Sequence, residues 1–89
     1  MYIHLGENTV VRQDTIVGIF DLDNTSISKH TREFLRQAEF EGQVVNVSYE
    51  LPRSFVLCIE HGRMKVYISQ ISCATLRLRA GRPVDYDIR

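Results

Sequence analysis

Asp21, Asp23 and Thr25 are the residues whose types and spacing most suggest chemistry in this chain. They follow the apolar run Ile16-Val17-Gly18-Ile19-Phe20, so two carboxylates and a hydroxyl stand at alternate positions where a strand should end. A carboxylate at a strand end is a candidate nucleophile on phosphate. That chemistry needs a bound Mg²⁺ to offset charge, and usually a lysine and further acids downstream. The supply here is thin. The chain has 89 residues, the next aspartate after Asp23 is Asp85, and its two lysines are Lys29 and Lys65.

The stretch looks like the first motif of the haloacid dehalogenase phosphatases, which implies Asp21 as nucleophile, Asp23 as general acid and Thr25 as a phosphate ligand. A doubly wound α/β enzyme normally takes well over about 100 residues to build its parallel sheet and crossovers. The preferred reading is structural: Asp, Asn, Thr and Ser over Asp21–Ser26 are what a turn or a helix N-cap uses. A calcium loop fails, because Ser26 stands where the sharp turn needs Gly and Arg32 where the bidentate Glu belongs.

The elements that would have to position these groups are small. A chain of this length makes one domain with one core. Its 44% hydrophobic and 25% charged residues are those of a globular protein, which argues against wholesale disorder. The longest apolar run, Phe55–Ile59, is far short of a membrane span. No basic, apolar and cleavage regions of a signal peptide follow Met1, so a cytoplasmic location is expected. Cys58 and Cys73 make no disulfide framework, and with His4, His30 and His61 scattered there is no metal-ligand spacing. Neither metal nor cofactor is expected. Cys58 reads as a core residue, and Cys73, near a helix start, as structural or as a thiol of lowered pKa.

Net charge is zero, but unevenly spread. Residues 1–45 hold four Lys/Arg against seven Asp/Glu, and residues 46–89 hold seven against four. From Arg53 to Arg82, six bases face only Glu60. A monomer this neutral would bind nucleic acid weakly, whereas an oligomer that aligned its basic halves could bind well. The alternative is a solvated basic face.

Tyr2–Leu5, Thr9–Arg12 and Thr15–Phe20 read as short strands, with Gly18 marking a bulge or a close backbone approach. Ile27–Glu41 has helical spacing, with Ile27, Thr31, Phe34, Leu35 and Ala38 on one face and Ser26 or Ser28 as cap. Gln43–Leu51 alternates as a strand through Val45, Val47, Tyr49 and Leu51. Ser54–Glu60 and Arg63–Ile68 form a hairpin about His61-Gly62, which makes His61 a turn residue. Ser72 caps a short helix Cys73–Ala80 anchored by Leu76, and residues 81–89 read as a flexible tail after a single domain of residues 1–80. The expected fold class is α+β: a small, mostly antiparallel sheet of about six short strands, one amphipathic helix and one short C-terminal helix. Unpaired strand edges offer a route to an oligomer.

With these elements in place, the opening Met1-Tyr2-Ile3-His4-Leu5-Gly6, then Val10-Val11 and Ile16-Val17-Gly18-Ile19-Phe20-Asp21, carry a resemblance. Glu33-Phe34-Leu35, Pro52-Arg53-Ser54, Ser72, Thr75-Leu76 and Arg79-Ala80 extend it to about residue 80. The chain resembles the RemB-like branch of the RemA/RemB family of small bacterial extracellular-matrix regulators. That resemblance implies a non-enzymatic, DNA-associated regulator of matrix (biofilm) genes acting as a ring-like homo-oligomer. It also implies DNA contacts by arginines, in a turn between early strands and in a paired-arginine loop before a later strand. Here the later loop reads Leu51-Pro52-Arg53, with one arginine in place of two, and Arg12 is the base nearest the early turn. Arg53, Arg12 and Arg63, repeated around a ring, would make a periodic basic rim that touches phosphates and reads shape more than bases. No helix-turn-helix pattern is present. The competing expectations are an oligomeric protein-interaction module without DNA and, remotely, an aspartate-nucleophile phosphohydrolase; neither a membrane nor a small-molecule substrate is expected as partner.

Overall fold

Short Val- and Ile-rich runs separated by turn residues fold into six strands, and the one long amphipathic stretch folds into a helix against them. The computed structural model describes residues 1–23 and 27–81. Thr25, the alternative cap Ser26 and the expected tail beyond Gly81 lie outside the described residues.

Strands β1 (Tyr2–Gly6) and β2 (Thr9–Arg12) pair as an antiparallel hairpin. A 3₁₀ turn over Gln13–Thr15 leads into β3 (Ile16–Asp21). Helix α1 (Lys29–Phe40) follows, then β4 (Val44–Asn46), β5 (Ser54–Glu60), β6 (Arg63–Ser69) and helix α2 (Cys73–Arg79). The last four strands form one sheet in the order β3-β5-β6-β4, antiparallel except for the pair β4 and β6. The α+β expectation of about six strands and two helices holds, with the strands divided between a two-stranded and a four-stranded sheet.

Alternation along β5 and β6 sends side chains to two different layers. Val56, Cys58 and Tyr67 face the hairpin, where they pack with Ile3, Leu5 and Val11 and with Leu76 and Ala80 of the α2 region. Phe55, Val66, Leu57 and Ile68 face α1, against Ala38, Phe34 and Leu35. The helical face expected from sequence is therefore the one buried. Ser28 caps α1 by accepting from Thr31 N, and Ser72 caps α2 by accepting from Thr75 N. Two buried serines, paired in register on β5 and β6, join the layers. Ser69 Oγ donates to Leu5 O at 2.7 Å, and Ser54 Oγ donates to Ile71 O at 2.7 Å.

Gly18 meets both of its expectations. The β3–β5 register shifts between Ile16 and Gly18, and a Cβ at Gly18 would lie 2.7 Å from the Phe20 ring, which stacks on Phe55. His61 and Gly62 both take positive φ, 52° and 76°, as a two-residue hairpin turn requires.

The strand expected over Gln43–Leu51 is corrected. It ends at Asn46, and although Val47 N still reaches Ile68 O, Tyr49 and Leu51 are exposed. The reason is the length of the partner. Strand β6 stops at Ser69, one residue past Ile68, the register partner of Asn46, so residues 48–51 have no strand to pair with.

Candidate nucleic-acid interface

Arg53 sits at the end of the sheet where β3 finishes and β5 begins. Its backbone is held on both sides: its N–H donates to Ser69 O and its carbonyl accepts from Leu22 N, each at 2.9 Å. The guanidinium lies against Asp23, with Nε 3.1 Å from both carboxylate oxygens and Nη2 3.0 Å from Oδ2. Asp23 in turn is placed by its own N–H, which donates to Asp21 Oδ1 at 2.7 Å. The Asp21-x-Asp23 spacing thus builds an Asx turn at a strand end and supplies a partner to an arginine 30 residues away. The hydrogen bond and charge of Asp23 hold Arg53 more firmly protonated than a free guanidinium.

Arg12 and Arg63 lie at the opposite end of the molecule. Arg63 pairs across the hairpin with Glu60 in the β5–β6 register, is exposed, and among the described residues makes no ion pair. Arg12 lines an open depression of about 430 Å³ with Asp14, Glu60, His61, Tyr2 and Tyr67, and its Nη2 is 2.6 Å from Asp14 Oδ2. Six steps of β5 separate the two ends, about 20 Å at ~3.3 Å per residue. Within the chain the three arginines therefore do not converge.

The other described bases of the second half have structural partners. Arg77 Nη2 donates to Ile19 O at 3.0 Å and Arg79 Nη1 donates to His4 O at 3.1 Å, tying the last turn of α2 to β3 and β1. Lys65 stands 3.8 Å from Glu60. Glu60 also accepts from Tyr67 Oη at 2.7 Å, and burial together with that bond pushes the tyrosine pKa well above its usual value.

The thiols are not activated. Burial raises the pKa of Cys58 against the lowering effect of Thr15, and burial raises that of Cys73 despite the nearby Arg77. The alternative of a lowered Cys73 thiol is corrected: desolvation outweighs the nearby Arg77 cation, and Asp21 adds to the rise. Among the described residues no group of three His, Cys, Asp or Glu could hold a metal ion, and no helix is long and apolar enough to cross a membrane.

The pairing of Asp23 with Arg53 was not anticipated from sequence. The available signal is an Asp just past β3 and an Arg just before β5, two strands that antiparallel pairing brings together.

A family model described as extracellular matrix regulatory protein A-like, RemA-like, matches residues 2–80 of the chain. The extracellular matrix regulatory protein B of Bacillus subtilis (strain 168) is 38% identical over 80 residues, covering 90% of this chain and 90% of that protein.

Proposed function

The chain belongs to the RemA-like family of extracellular matrix regulatory proteins, and from that premise we propose that it is a cytoplasmic, DNA-associated transcriptional regulator of matrix genes. It acts without catalysis, as a ring-like homo-oligomer whose repeated arginines meet the phosphate backbone. The observation that carries this reading is the placement of Arg53. It stands exposed at a sheet end, on backbone fixed by two hydrogen bonds, where repetition around a ring would form a rim. A rigid base is what phosphate positioning needs; sequence reading would come from DNA shape.

Arg12 and Arg63 occupy the far end of the chain, so a ring built with the β5 direction along its axis would carry Arg53 on one face and Arg12 and Arg63 on the other. We assign the DNA contact to the Arg53 face. The choice rests on the fixed backbone of Arg53 and not on charge, since Arg12 pairs with Asp14 as Arg53 pairs with Asp23.

The test is binding of a labelled duplex over a range of salt by wild type and Arg53→Ala. The substitution should weaken binding evenly across sequences and lower the salt slope by about one phosphate contact per engaged subunit. Unchanged affinity and slope would remove Arg53 from the interface.

A second reading, an oligomeric protein-interaction module without DNA, is favoured by the zero net charge together with the exposed apolar residues Val17, Phe20 and Ile59 on the sheet beside α1.

A further inference from the structure

The Asp21-x-Asp23 turn is the sequence motif that a DNA-binding role leaves unexplained. Arg53 could have been left free to meet a phosphate. Instead it is held side-on, with its Nε–H and one Nη2 N–H turned to Asp23 and its outer Nη1/Nη2 edge turned away. The arrangement is built by backbone on both sides. Asp23 is fixed by the turn with Asp21, itself in register with Ser54, and Arg53 is fixed by Ser69 O and Leu22 N. The pair is nonetheless open, with the two side chains 51% and 41% exposed, so solvent and a phosphate can reach it. Asp21 adds a second carboxylate within electrostatic reach of the same guanidinium.

We propose that Asp23, seconded by Asp21, competes with DNA phosphate for Arg53 and so sets this protein's affinity for DNA below what its arginines would otherwise give. The proposal rests on the DNA reading above. A phosphate on the outer edge of Arg53 meets a guanidinium whose charge is already offset and a carboxylate on its far side. Like charges at that spacing in water weaken binding by about threefold per subunit engaged, less at high salt.

The experiment is fluorescence anisotropy of a ~40 bp AT-rich duplex between ~50 and ~250 mM salt, where phosphate contacts dominate the signal. The full chain is compared as wild type, Asp23→Asn, Arg53→Ala, the double variant, and Glu39→Gln. Glu39 is exposed near the far end of α1, so its substitution makes the same change of charge away from Arg53. Asp23→Asn should tighten binding about threefold for each subunit engaged and steepen the salt dependence, Glu39→Gln should do less than half as much, and the gain should vanish in the Arg53→Ala background. A gain equal to that of Glu39→Gln, a gain that survives in Arg53→Ala, or a loss of affinity in Asp23→Asn would each overturn competition. Binding by wild type that Arg53→Ala leaves unchanged would overturn the competition while sparing the DNA reading. No binding by any of the five proteins would overturn both.

Discussion

At the scale of single residues, environment decides what each side chain can do. Asp21 and Asp23 have the spacing of a phosphoryl-transfer motif, yet one serves a turn and the other an arginine. Tyr67 and the two cysteines all have raised pKa values, with burial as the leading cause, and this fixes the sign of an alkaline dependence. In each case the folded chain keeps a proton that the unfolded chain gives up. Their contribution is intact below the unfolded values, about 8.5 for Cys and 10 for Tyr, and is lost as pH rises toward the folded ones. The thermal midpoint should be level from about pH 6 to 8 and fall above about pH 9, with Tyr67→Phe flattening the part of the fall beyond about pH 10. A midpoint unchanged to pH 11 by calorimetry would contradict this account of Tyr67. Local features of this kind were legible in part. Cys58 as a core residue, His61 as a turn residue and Gly18 as a bulge each follow from immediate neighbours. The Asp23–Arg53 pair was not legible, because its partners meet only after β3 and β5 have aligned.

At the scale of elements, the fold depends on how the hairpin is held to the main sheet. Apolar contact through Ile3, Leu5 and Val11 supplies most of the attachment, but Ser69 ties it in register. Its hydroxyl donates to Leu5 O and accepts from Ile71 N at 3.0 Å, joining β1, β6 and the entry to α2. Ser69→Ala removes both bonds and leaves two backbone groups unsatisfied in a buried place, a loss of about 1–3 kcal/mol. Chemical denaturation should show it as a lower midpoint at unchanged slope; a midpoint equal to wild type would mean that the serine is incidental. The elements themselves could be read from sequence wherever periodicity and caps agree. The face of α1, the Ser72 cap and the Leu76 anchor all lie where their patterns put them. The extent of β4 could not be read that way. Val45 and Val47 continue the alternation correctly, but a strand lasts only as long as its partner, and the end of β6 is set elsewhere in the chain.

At the scale of the whole molecule, the described basic residues of the second half divide among different tasks. Arg77 and Arg79 secure α2, Lys65 faces Glu60, and Arg53 and Arg63 stand at opposite ends of the sheet. A neutral monomer with one arginine at a rim has little affinity for DNA. In the proposed ring, repetition would turn that weak contact into a periodic one, so the proposed oligomer and the proposed DNA binding stand or fall together. The direct test is light scattering of the purified chain, alone and with a ~40 bp AT-rich duplex, at ~50 and ~250 mM salt. A ring that binds through repeated arginines will be a defined oligomer at both salts that gains the mass of bound duplex at the lower and sheds it at the higher. A defined oligomer whose mass ignores DNA at both salts would contradict this reading and leave a protein partner as the role of this fold.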